Sequence, residues 1–193
     1  MPSVPEEVVV WEYVRWDWKY REWIDQPVLK APDFNSPEDN QFRWDLLAGK
    51  HGLPGDDGQV FRIRYCFDPS LPPYRWAKEV AGREVFANAF SNYIEAGRPL
   101  SLDEITAQFS RTKSLPSPFN EHNSLVVHEN LRRLKSKENI DDFNAILFCR
   151  PTPYLPADSY RIVEGTKRAI AYRVGQFEGI ELPDIRCYFG DYM

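Results

Sequence analysis

Cysteine is scarce in this chain. Its 193 residues include three, Cys66, Cys149 and Cys187, far apart and without paired spacing. An odd count with no CxxC argues against a disulfide framework and against a cysteine zinc site. Cys149 and Cys187 lie in apolar stretches, where a free thiol behaves as a small hydrophobe rather than as a nucleophile. Histidine is just as sparse: His51, His122 and His128 have no metal-ligand spacing. No apolar run approaches the ~20 residues that a membrane span needs. The opening "MPSVPEEVVVW" is acidic before its short apolar run, unlike a secretory signal. Internal repeats and low-complexity tracts are also missing. These absences predict a soluble, cytoplasmic protein.

A substantial core is present instead, with 42% hydrophobic and 15% aromatic residues. The formal net charge of −5 does not suit a general nucleic-acid binder, whose footprint is a basic face. Nucleic acid is therefore not the favoured partner. Locally the balance reverses, because Arg161, Lys167, Arg168 and Arg173 crowd one short stretch. For a small anionic ligand, local sign matters more than the total.

The first segment, "VVVWEYVRWDWKYREW", is aromatic. Tyr13, Trp16, Tyr20, Trp23 and Ile24 fall at helical spacing, while Trp16, Trp18 and Tyr20 fit strand alternation equally well. It reads either as a core-covering element or as a platform for a partner or a base. Residues 31–58 read as loop around a short helix near Phe42 to Leu47. Gln59 to Phe67 alternates as a strand. "YRWAKEVAGREVFANAFSNYIEAG" carries an apolar stripe at helical spacing and predicts one long helix stopped by Gly97.

Beyond Leu100, Ser101 and Glu104 form a capping-box pattern that opens a short helix. A polar loop with Arg111 and Lys113 follows. Ser124 is the expected cap of a helix through Leu125, Val127, Leu131 and Leu134. Asn144 to Cys149 reads as a strand and Arg150 to Ser159 as a turn. "YRIV" (Tyr160 to Val163) is another strand, and Lys167 to Val174 a helix closed by Gly175. A last strand runs from Pro183 to Phe189, its proline at the permitted first position. The predicted fold class is α+β, a small mixed sheet with helices over residues 100–193, behind an aromatic-rich extension over residues 1–99.

The stretch from Tyr160 to Val174 poses a physical question. Cations are disfavoured at a helix start, where the first-turn amides already carry partial positive charge. Yet Lys167 and Arg168 stand there, behind Gly165 and Thr166. Gly165 can take a positive φ and lets a ligand approach the backbone. Thr166 can cap and donate. An anion held by the amides and two cations resolves the repulsion, and phosphate fits such a site best. The structural alternative is that Lys167 points to solvent and Arg168 pairs with Glu164 or Glu181.

"YRIVEGTKRAIAYRVG" followed by "IELPDIRCYFG" resembles the signature of the ParB/sulfiredoxin-like superfamily. That signature has a strand, an acidic residue, Gly, two variable residues, then Arg and a small residue in a helix. Here these are Glu164, Gly165, Thr166, Lys167, Arg168 and Ala169. The resemblance implies a nucleotide site, with ATP or CTP (and Mg²⁺) bound by Glu164, Gly165, Thr166, Lys167 and Arg168. It further implies transfer or hydrolysis of a phosphate, with an unknown small molecule or protein as acceptor. Sulfiredoxins have Cys and His where this chain has Thr166 and Lys167, so their chemistry is not expected. The small-molecule kinases of the superfamily have His at both positions, which this chain also lacks. The chain stops at Met193 with no helix-turn-helix after the last strand, so a partition role is not expected. If chemistry occurs, a base is needed near the terminal phosphate. The loop before the second helix offers Glu121, His122 and His128, of which Glu121 is the candidate. Asp103, Glu104 and Glu121 are the acidic residues available to magnesium. The alternative function is a non-catalytic interaction or nucleic-acid-associated module with a vestigial phosphate pocket, whose Trp-rich front docks a partner.

Overall fold

The computed structural model describes residues 74–95, 98–149 and 155–192, with the isolated positions 3–6, 8–9, 12, 33, 36–38 and 41. The aromatic residues Tyr13 to Ile24, the short helix near Phe42 to Leu47, the strand Gln59 to Phe67, the Gly97 stop and residues 150–154 lie outside the described residues. Two compact units are distinguished: Met1–Ala77 with Gly190–Met193, and Lys78–Phe189. In the first, Ser3–Val4 (β1) pairs antiparallel with the opening residues of Tyr74–Val80 (β2), a strand that runs on into the second unit at Lys78; Ser3 is opposite Ala77 and Val4 opposite Trp76.

The second unit is mixed α+β, in agreement with the class the sequence predicts. Its elements in chain order are Arg83–Ala87 (α1), Ala89–Glu95 (β3), Arg98–Ser101 (β4), Leu102–Thr112 (α2), Glu121–Ser136 (α3), a 3-10 helix at Ile140–Ala145, Leu147–Cys149 (β5), Tyr160–Glu164 (β6), Thr166–Phe177 (α4) and Arg186–Tyr192 (β7). The strands run in the order β7-β5-β6-β3-β4. β3 and β6 are parallel, with Ala89 opposite Tyr160. β5 is antiparallel to β6, with Phe148 opposite Ile162, and β4 is antiparallel to β3. No helix among the described residues is long and apolar enough to cross a membrane.

α4 is the centre of this unit. It packs against both α2 and α3. Arg168, Ala169, Ile170, Ala171, Tyr172, Val174 and Gly175 are all buried, so this helix is enclosed on nearly every side. Leu102, Ile105 and Phe109 from α2 join Val127, Leu131 and Leu134 from α3 in the same core. Ala89, Ile162 and Cys187 contribute from the sheet. Past the far end of α4, Glu178 accepts from Lys113 (3.4 Å) and Lys135 (3.5 Å).

Several boundaries differ from the sequence reading. The long helix expected from Tyr74 is instead β2, the short α1 and β3. Its supposed apolar stripe is not uniformly buried: Trp76 is buried while Val80 is 53% exposed. Trp, Tyr, Phe and Val suit a pleated sheet once neighbouring strands supply backbone partners, and that tertiary pairing outweighs the helical spacing. Asn120, not Ser124, caps α3, accepting the Asn123 N–H at 2.9 Å. Ser124 instead accepts the Leu115 N–H at 3.0 Å and ties down the preceding loop. Gly175 does not close α4. A side chain there would strike Leu182 at 2.9 Å, so this glycine serves packing inside the helix. The reversal falls at Gly179, with φ 71°. The 3-10 helix takes Asn144 and Ala145 out of the expected strand, and the Asn144 side chain accepts the Arg186 N–H at 2.7 Å. The last strand begins at Arg186, because the Pro183 carbonyl is engaged by the Tyr172 hydroxyl at 2.7 Å.

The capping box of α2 forms as the sequence predicts: Ser101 accepts from the Glu104 amide, and Glu104 from the Ser101 amide. Arg98 grips the same carboxylate at 2.5 and 3.0 Å and holds its pKa down to about 2, below the usual 4.5. Ser101→Ala should lower stability by about 1 kcal/mol in urea unfolding at neutral pH. A carboxylate with a depressed folded pKa stabilises above its unfolded value and loses that contribution as it protonates. The stability difference between wild type and Glu104→Gln should therefore be full above pH 4.5 and shrink as pH falls towards 2.

Candidate functional site

β6 ends at Glu164, and a single residue, Gly165, carries the chain into α4. Gly165 has φ 87° and ψ 21°, a left-handed conformation that costs any L side chain about 1–2 kcal/mol. Space is equally restrictive. A Cβ at this position would lie 3.0 Å from Ile146 Cγ1 and 3.1 Å from Arg168 Nη2. The Gly165 carbonyl accepts the Ala169 N–H at 2.8 Å, the first bond of the helix.

The start of α4 is unlike those of its neighbours. α2 and α3 each have a capping side chain and an acidic first turn. α4 has neither. Gly165 takes the cap position, so Thr166 is the first helical residue rather than the cap the sequence reading made of it. Thr166 and Lys167 are partly exposed there, and Arg161 is partly exposed on β6.

Arg168 turns inward. It is 1% exposed. Its Nη2 donates to Glu164 Oε1 at 3.0 Å, and its Nη1 donates to the Asp142 carbonyl in the 3-10 helix. Of the two acids the sequence offers, Glu164 is the partner. Asp142 is held in turn: its carboxylate accepts from Arg133 of α3, whose Nη2 also donates to the Asn139 carbonyl at 3.2 Å. The Arg133 guanidinium lies 5.9 Å from the centre of the Phe143 ring. One continuous polar chain therefore joins α3, the 3-10 helix, the start of α4 and the end of β6.

Glu164, Gly165, Thr166, Lys167 and Arg168 thus share one turn, but the other proposed residues do not join them. Glu121 is the exposed first residue of α3. It stands twelve residues before Arg133, about 18 Å along the axis at about 1.5 Å per residue. Arg173 is bonded to Asp103 of α2 at 2.6 Å and to Gln176 at 3.0 Å, away from the turn. Asp103 and Glu104, the carboxylates available to magnesium, are thus occupied by Arg173 and by Arg98 with Ser101. No group of acidic, His or Cys side chains among the described residues could hold a metal ion.

Two further groups are set aside by burial. Burial pushes the Cys187 thiol well up, leaving no activated thiolate. Tyr172 is pushed up to about 12, also by burial, and its hydroxyl donates to the Pro183 carbonyl. His128 Nε2 donates to the Lys113 carbonyl (3.0 Å) and its ring lies 4.7 Å from that of Phe109, tilted by 48°, a structural arrangement.

Arg133 and Asp142 were missed by sequence reasoning. The Asp142 contact to Arg168 is through a main-chain carbonyl, which no residue type announces. The available signal was indirect: an arginine followed by apolar residues at helical spacing must find acceptors inside. No family model matches the chain, and neither does any curated protein or solved structure.

Removing Arg168 leaves Glu164 without its ionic partner and the Asp142 carbonyl without this donor. Arg168→Ala should lower unfolding free energy by about 3–5 kcal/mol. Arg168→Lys should recover only part of this, because one ammonium does not reproduce a planar fork between two fixed acceptors. Denaturant titration of the three proteins checks both expectations. Equal stability of wild type and Arg168→Ala would show that the pair is not a structural tie.

Proposed function

We propose that the chain is a nucleotide-binding protein whose β6–α4 turn holds the phosphates of ATP or CTP. One observation carries this reading. Among the three long helices of the described residues, α4 alone begins on a left-handed glycine with no capping side chain and no acid in its first turn, yet with Lys167 partly exposed beside the amides. Such a terminus is favourable to an anion with many acceptor directions. The resemblance of Glu164 to Ala169 to the ParB/sulfiredoxin-like signature supports it independently. In this reading the amides of Thr166 and Lys167 and the Lys167 ammonium contact phosphate, while Gly165 gives the close approach. Arg168 lies beneath the turn, paired with Glu164 in the free protein. Any magnesium would enter with the nucleotide phosphates, which commonly carry it.

The turn supports binding; phosphoryl transfer or hydrolysis needs in addition a base beside the terminal phosphate. Glu121 stands far along α3, and Asp103, Glu104 and Glu164 are all engaged by arginine. That engagement favours, as a second reading, a non-catalytic module that uses the same anion pocket for recognition alone.

Calorimetric titration with ATP, CTP and GTP, each with Mg²⁺, tests both. Wild type should bind one nucleotide saturably. Lys167→Glu should weaken that binding at least tenfold while retaining its circular dichroism spectrum, because an acid in a first helical turn is favourable to the helix. Equal affinity in the variant would remove Lys167 from the site. No binding of any nucleotide to wild type would defeat the function. Turnover of the bound nucleotide to its diphosphate decides between the enzyme and the non-catalytic module.

A further inference from the structure

We propose that the Glu164 carboxylate is an internal stand-in for the ligand's phosphate. It holds the Arg168 guanidinium in the free protein, and an arriving phosphate displaces it. The inference rests on the reading of the β6–α4 turn as a phosphate site, and it assigns that site an autoinhibitory contact.

The pair is asymmetric. The Arg168 side chain is 1% exposed and that of Glu164 is 21% exposed, so the anionic partner is the one that reaches water. The two bonds of the guanidinium differ in the same sense. Nη1 donates to the Asp142 carbonyl, a main-chain group within a 3-10 helix whose own carboxylate is tied to Arg133. Nη2 donates to Glu164, whose two side-chain methylenes allow the carboxylate to rotate away. The Asp142 bond is thus fixed by the fold, and the Glu164 bond is the exchangeable one.

Position completes the argument. Nη2 lies 3.1 Å from where a Cβ on Gly165 would stand, so this edge of the guanidinium lies against the turn itself. That edge of the guanidinium and the first residues of α4 border the same glycine, and Glu164 is the negative group now supplied there. A phosphate and the Glu164 carboxylate cannot share that edge without like-charge repulsion. In the free protein Glu164 offsets the charge of Arg168, and the apparent affinity is reduced by the fraction of time that Glu164 occupies the position. Glu164 is a positioning residue here, not a phosphate ligand.

The test compares wild type with Glu164→Gln, using inorganic pyrophosphate as the probe and sodium chloride at equal ionic strength as the control. Calorimetry should show pyrophosphate bound about tenfold tighter by the variant, the effect of removing one competing charge-assisted bond. The thermal midpoint of the variant, lowered without ligand, should rise more with pyrophosphate than that of wild type. Equal or weaker binding by the variant, with wild type still binding, overturns the inference and leaves the phosphate site standing. Binding to neither protein removes the site and the inference together. If Glu164→Gln is recovered unfolded, refolding in pyrophosphate against chloride carries the decision. Recovery that depends on pyrophosphate supports the displacement; recovery in neither, or equally in both, overturns it.

Discussion

A buried guanidinium needs acceptors, and in this unit the position of three elements follows from where Arg168 finds them. It is 1% exposed and draws the end of β6, through Glu164, and the 3-10 helix, through the Asp142 carbonyl, onto the start of α4. An unpaired charge there would be strongly destabilising, so the three elements are not free to drift apart. Gly165 is the geometric counterpart of that requirement. Its positive φ turns the chain sharply enough for residue 168 to reach back under residue 164. Its missing side chain leaves room for Arg168 Nη2 and for Ile146. Strand, turn and helix are therefore a single constraint met by four consecutive positions, Glu164 to Lys167, and the arginine that follows.

The cations at the helix start also take different parts once their surroundings are considered. Arg168 and Lys167 are neighbours in sequence, but one is within the core and the other is partly exposed. The repulsion expected from two positive groups beside unpaired amides is relieved for Arg168 inside the protein, by Glu164. Lys167 stands at the boundary with water. Two adjacent residues of the same sign thus differ in surroundings, one inside the core and one at its edge.

Local signals in the sequence proved reliable where a few neighbouring residues decide the outcome. Ser101 and Glu104 open α2 as their spacing implies, and Tyr160 to Glu164 followed by a glycine gives the strand, turn and helix. Long-range partners decided the rest. Tyr74 to Glu95 has a helical apolar spacing, yet pairing with β1, β4 and β6 makes most of it strand. Gly175 looks like a stop until Leu182 is seen packed against it. The five residues of the turn come together because they are contiguous. Glu121 does not join them, because the axis of α3 carries it away. Asp142 was invisible for a different reason, since it acts through its backbone.

The enclosure of α4 has a consequence for how this unit opens. A helix with water on one face can fray or detach while the rest of a protein stays folded. α4 touches α2 and α3, is buried on nearly all its faces, and has Glu178 tied to two lysines at its far end. Its amides beyond the first turn can reach solvent only when the neighbouring helices also come loose, so those hydrogens belong to the slowest-exchanging class of the unit. The β6–α4 turn is thus the visible end of the segment that opens last, and its backbone course is fixed by the rest of the unit.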